Sequence, residues 1–185
     1  MGRLSLAICF TCALTVAAAA QTAEEAVAYI LFGKEVAQIP GVTTKRISAS
    51  PAVFETTSSF FVSRLTVSSV EQCRFKSIEV SKTARDSQPS SVTLEFDFSS
   101  AAPPVKTITS AAAGVPQALV QVAGLKLVSC SAKLGELEGA PKGEIEKMTC
   151  DMLKKGMPVT SQYSSERATG ALTFLRANYC KAKAF

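Results

Sequence analysis

Histidine and tryptophan are absent from all 185 residues, and asparagine occurs once, at Asn178. Without imidazole the chain can build neither a Ser-His-Asp triad nor a Cys-His pair, and it offers a metal no histidine ligand. No lysine follows a serine at S-x-x-K spacing, and G-x-S-x-G, the P-loop and G-x-G-x-x-G are all missing. There is no Asn-x-Ser/Thr acceptor for glycosylation and no C-x-x-C pair for zinc. No apolar run beyond the N-terminus approaches the ~20 residues of a membrane-spanning helix. These absences remove most recognisable catalytic and cofactor chemistry, and the sequence predicts no cofactor and no metal.

The N-terminus is informative. Arg3 supplies a basic start, Leu4 to Ala17 is apolar or small, and Ala17-Ala18-Ala19-Ala20 closes the run. This is the order of parts in a Sec-type signal peptide cut between Ala20 and Gln21. Residues 1–20 are therefore expected to be a cleaved signal and residues 21–185 a single domain, periplasmic or secreted. Ile8 before Cys9 and Thr11 before Cys12 argue against lipid attachment.

Cys73, Cys130, Cys150 and Cys180 remain after cleavage, an even count that suggests two disulfides in an oxidising compartment. Three pairings are possible. Cys130–Cys150 with Cys73–Cys180 is favoured, because the first closes a short loop through turn-rich sequence and the second ties the C-terminal element to the strands. The shorter loop would stabilise by about 3 kcal/mol on the chain-entropy model.

Charge is uneven. Residues 21–140 carry 11 basic and 11 acidic side chains, so the excess lies in residues 141–185. There Lys142, Lys147, Lys154, Lys155, Arg167, Arg176, Lys181 and Lys183 face Glu144, Glu146, Asp151 and Glu166. A solvated helical face is the plain explanation, and contact with an envelope protein or an anionic surface is the functional one. Basic residues do not interleave with aromatics, so nucleic acid is not expected as a partner.

Thr22-Ala23-Glu24-Glu25 is a capping box, with Val27, Ile30 and Leu31 at helical spacing and Gly33 as a stop; it predicts a helix over 22–32. Strand texture follows Pro40-Gly41, over Val42 to Ser48, Val53 to Thr57, Phe60 to Val70 and Cys73 to Lys82, with a bulge expected between Phe75 and Ile78. Val92, Leu94, Phe96 and Phe98 alternate with polar residues as a strand does. Pro116 to Ala123 reads as a short helix, Leu125 to Leu134 as a strand and Gly135 to Gly143 as a turn region. Residues 144–155 suit a helix by charge order, although Met148, Cys150 and Met152 also alternate. A last helix begins at Ser164 or Ser165 with a stripe of Ala168, Ala171, Leu172, Leu175 and Tyr179. Gly170 within it implies a close packing partner.

Glu95 and Asp97 share one side of a strand. Paired carboxylates can serve glycosidic hydrolysis or hold Ca²⁺, but alternating strands produce such pairs on their wet face routinely. Glu136 and Glu138 have the same explanation. Tyr29 and Tyr179 fall on apolar helix stripes and read as core. Met148, Met152 and Met157 read as fillers of a core or groove before they read as a Cu(I) site.

Two stretches carry a resemblance: Glu24-Glu25-Ala26-Val27-Ala28-Tyr29-Ile30-Leu31-Phe32-Gly33, and Phe174-Leu175-Arg176-Ala177-Asn178-Tyr179-Cys180-Lys181-Ala182-Lys183-Ala184-Phe185. About 22 residues are covered, and they resemble small uncharacterised exported proteins of rhizobia and related alpha-proteobacteria. The resemblance implies a Gram-negative periplasm and carries over no functional residue.

The sequence thus points to an α+β domain, an antiparallel sheet of about five strands packed against N- and C-terminal helices and stapled by disulfides. Lacking a catalytic set, it reads as a non-enzymatic binding or interaction module. The alternative is a carboxylate-dependent hydrolase of envelope polysaccharide using Glu95 and Asp97.

Overall fold

The computed structural model describes residues 22–84, 86, 88–112, 115–133, 142–159 and 163–180. The signal reading of residues 1–20, the Glu136–Glu138 pair and most of the 135–143 turn lie outside them. Among the described residues no helix is long and apolar enough to cross a membrane.

Helix α1 (Ala23–Phe32) is the centre of the molecule. The Thr22 hydroxyl accepts from the Glu25 N–H at 3.1 Å, and the Glu25 carboxylate takes the Thr22 N–H at 3.0 Å. Gly33 ends the helix at φ +60°, with its N–H returned to Ala28 and Tyr29. Ala26, Val27, Ala28, Ile30 and Leu31 have no exposed surface. A helix apolar on every side belongs inside a protein, and α1 is enclosed by strands and a second helix.

A run of antiparallel strands forms the large sheet: β1 (Ala37–Ile39), β2 (Val42–Ala49), β3 (Ala52–Ser58), β4 (Phe61–Glu71), β5 (Arg74–Thr83) and β6 (Ser90–Asp97). The chain then leaves for β7 (Ala102–Ala112) and β8 (Val115–Ala123), and returns as β9 (Lys126–Lys133) beside β6. Helix α2 (Lys142–Leu153), β10 (Met157–Val159) and α3 (Ser165–Asn178) follow. The large sheet has seven strands in the order β1-β2-β3-β4-β5-β6-β9, and a second sheet has the order β10-β8-β7.

The α+β class and the antiparallel pairing agree with the sequence, but the expected five strands are too few. The missing strands come mainly from residues 102–123. Pro116 to Ala123 is not a helix but most of β8, paired from Ala123 opposite Ala102 to Val115 opposite Ala112. Pro116 falls near the start of that strand, where the first position of a helix and of a strand look alike in sequence. The expected bulge between Phe75 and Ile78 is also absent, since β5 pairs in unbroken register with β6 from Arg74–Asp97 to Ser81–Ser90. Ser77 takes the inward position, 2% exposed, and Ile78 the outward one. The slipped phase in the sequence is a polar residue inside and an apolar one outside.

One face of the large sheet is the core. Phe54, Leu65, Val67, Phe75, Leu94 and Phe96 pack beneath α1, and Phe98 meets Phe75 edge-on at 5.8 Å between ring centroids. On α3, Ala168, Ala171, Leu172 and Leu175 are buried as the stripe predicts, but Tyr179 is 41% exposed and is not core. Among the described residues nothing lies within 4 Å of a Cβ added at Gly170, so no close partner there explains that glycine. Both favoured cysteine pairs stand at disulfide distance. Cys73 and Cys180 have Cα atoms 5.0 Å apart, and Cys130 and Cys150 5.8 Å. The first joins the β4–β5 turn to the end of α3, and the second fastens α2 to β9.

Candidate binding cavities and charged faces

Among the described residues, three cavities lie on the core side of the large sheet. The first, about 440 Å³, has a floor of Leu31, Phe96, Val120, Val122, Leu125 and Leu127. Among the described residues, Lys106, Lys154 and Lys155 are its charged lining residues, and no carboxylate lines it. The second, about 480 Å³, is bounded by Phe32, Val92, Leu94, Met152, Pro158 and Val159. It shares the walls Leu153 and Met157 with the first. The third, about 330 Å³, shares Phe32 and Lys34 with the second and adds Tyr29, Phe61 and Tyr163. All three fall in the size range of small-molecule sites.

The elements that frame these cavities explain why they stay open. Helix α2 and the turn after it overhang the sheet, with Met148 and Met152 largely exposed and Met157 buried. Gly156 has φ +149°, and a Cβ there would meet the Val120 carbonyl oxygen at 2.8 Å. The glycine therefore lets β10 come against β8, and Met157 is thereby delivered between the two larger cavities. Two of the three methionines line a groove, as their adaptable shape suits.

Lys34 is the polar feature between the second and third cavities. Its ammonium donates to Thr56 Oγ1 at 3.3 Å and lies 3.9 Å from Glu79. Beside it, Tyr163 donates its hydroxyl to the Ile30 carbonyl at 2.7 Å, and burial pushes its phenol well above the usual tyrosine range. Tyr29 stacks on Tyr163 at 5.9 Å, and the Arg167 guanidinium, paired with Glu35 at 2.7 Å, sits 4.9 Å from the Tyr29 ring centre. The Tyr29 hydroxyl is buried without a partner among the described residues.

Glu95 and Asp97 lie elsewhere. They share one side of β6, as the spacing predicts, but that side is the open face of the large sheet, and neither lines any of the three cavities. Arg74 holds Glu95 at 2.7 Å while also holding Glu71 at 2.6 Å, and the Ser129 hydroxyl donates to the second Glu95 oxygen at 3.3 Å. Asp97 accepts the Ser99 N–H at 2.8 Å, a bond that keeps its carboxyl below the usual aspartate range. Both carboxylates thus serve structural bonds on a strand surface. Among the described residues no group of three His, Cys, Asp or Glu could hold a metal ion.

Among the described residues, three of the C-terminal cations are already engaged. Arg167 is committed to Glu35 and Tyr29, Arg176 donates to the Ala101 carbonyl at 2.5 Å, and Lys154 pairs with Asp151 at 2.9 Å. Lys181 and Lys183 lie outside the described residues. The fold instead sorts the charges that cancel over residues 21–140. Pair register puts Lys45, Arg64, Arg74, Lys76, Lys82, Lys126 and Lys133 on the open sheet face, with Glu55, Glu71, Glu95 and Asp97. Glu25 and Glu79 go to the other side, against Arg46 and Lys34. No sequence window reveals this, because the sorting follows the period-2 pleat across six strands rather than any local run.

Comparison with protein-family models, with curated proteins and with solved structures finds no match to this chain.

Proposed function

We propose that the protein is a non-enzymatic binding module of the periplasm or cell exterior that takes an amphiphile with an apolar chain and an anionic head. The observation that carries this reading is the pair of wall-sharing cavities beneath α2: apolar floors, with Lys106, Lys154 and Lys155 the charged groups on the first. Burial of an alkyl chain contributes about 0.8 kcal/mol per methylene, which suits floors of leucine, valine and phenylalanine. Lys106 and Lys155, which make no ion pair among the described residues, favour a negative head beside Lys154, itself already paired with Asp151.

The hydrolase reading has less behind it. It needs two carboxyls across a cleft with one in an apolar setting, whereas Glu95 is held by Arg74 on an open strand face.

Displacement of a fluorescent fatty acid from the purified, oxidised protein tests the proposal. Palmitate is expected to compete, methyl palmitate more weakly, and Lys106→Glu with Lys155→Glu to weaken palmitate more than its ester. Absence of any acyl-chain binding would sink it. Glycan cleavage lost in Glu95→Gln would replace it with the hydrolase.

A further inference from the structure

The β3–β4 hairpin ends in an exposed aromatic. Phe60 is 79% exposed, the most exposed of the described large apolar side chains, and Phe61 and Val62 beside it are also on the surface. The tip is not loose. The Ser58 hydroxyl accepts the N–H of Phe60 and of Phe61, each at 3.1 Å, so the turn is fixed with Phe60 directed away from the core. Large apolar groups held out in this way mark contact sites.

The open sheet face behind that tip carries cations. Val62 is paired across to Lys82, and the next row inward runs Lys45, Glu55, Arg64, Val80, Ser91, Lys133. Lys45, Arg64, Lys82 and Lys133 are exposed and make no ion pair among the described residues. Glu55 in the same row and Asp86 in the following loop are the opposing charges, leaving a net positive edge behind an apolar point.

We propose that this end of the molecule docks on an anionic phospholipid bilayer, Phe60 entering the interface while Lys45, Arg64, Lys82 and Lys133 meet the phosphates. Charge complementarity selects an anionic partner, and the aromatic tip selects a bilayer over a soluble polyanion, which has no apolar depth to offer. Each cation near such a surface contributes roughly a fivefold gain in binding, so four make a reversible attachment. The inference stands on the hairpin and the sheet face, and not on the cavities.

Co-sedimentation of the oxidised protein with vesicles decides it. Binding is expected to vesicles of phosphatidylcholine mixed with phosphatidylglycerol, and not to phosphatidylcholine alone. Added salt should weaken it. Phe60→Ser and the double variant Arg64→Glu, Lys133→Glu should each lower it about tenfold or more, with the circular dichroism unchanged, while Lys147→Glu on α2 should leave it intact. The proposal is overturned by equal binding to neutral vesicles or by no vesicle binding. It also fails if Phe60→Ser has no effect while dextran sulfate competes, which would make the face a polyanion site. Oligomers that Phe60→Ser disperses, without vesicle binding, would make it a contact between copies instead.

Discussion

At the residue scale, the two glycines least alike in this fold are Gly170 and Gly124. Gly170 is in the middle of α3 with open space around it, so its only effect is to loosen the helix. Gly170→Ala should stabilise by about 1 kcal/mol, read as a rise in the urea midpoint. Gly124 turns β8 into β9 at φ +74°, and a Cβ there would lie 2.0 Å from the Ser100 carbonyl oxygen. Gly124→Ala should cost at least about 2 kcal/mol in the same assay, because both the dihedral and the backbone contact oppose it. Equal effects at the two positions would show that neither environment is as described. The sequence marked Gly170 as a packing site, and Gly124 only as the residue after the end of the expected Pro116 to Ala123 helix. A glycine's neighbours come from distant parts of the chain, and no local pattern encodes them.

At the scale of elements, what was legible followed periodicity and caps. Helix α1 was readable because Thr22, Glu25 and Gly33 mark its ends and its apolar residues recur at helical spacing. Strand β6 was readable because its two faces differ in polarity. Strands β7 and β8 were not, since small and mixed residues such as Ser110 to Ala112 carry no period to read. Their pairing is fixed by each other and by α3, where Thr169 Oγ1 accepts the Val105 N–H at 2.9 Å opposite a register shift. The cavities were illegible for the same reason. They arise from where α2 and β10 stop relative to the large sheet. Helix α2 is the element on which the proposed binding depends most, and Cys130–Cys150 is its tie to β9. Its own face is weakly apolar, with Met148 and Met152 largely exposed. Replacing both cysteines by serine should speed hydrogen exchange across α2 and lower palmitate affinity, while the β3–β6 amides keep their protection. Unchanged exchange in α2 would mean that packing alone holds it.

At the scale of the whole molecule, the other cysteine pair has a different task. Cys73 sits in the β4–β5 turn and Cys180 just beyond α3, and together they close 107 residues of chain, against 20 for Cys130–Cys150. Within that span lie β5 to β10 and both later helices, so the crosslink restrains the unfolded chain across the large sheet, the small sheet and α3. The chain-entropy model gives about 5 kcal/mol for a loop of that length and about 3 kcal/mol for the shorter one. For a protein of this size, 5 kcal/mol corresponds to a fall in melting temperature of roughly 10–20 °C. The double variant Cys73→Ser, Cys180→Ser should therefore melt well below Cys130→Ser, Cys150→Ser. It should still bind palmitate and anionic vesicles at low temperature, because neither the cavities nor the Phe60 hairpin is built on that crosslink. The two double variants should thus separate in opposite directions, the long closure costing stability and the short one costing binding. If the long pair can be removed at no greater thermal cost than the short one, α3 is held to the sheet by its packing on α1. The closure of the chain end would then contribute little to the fold.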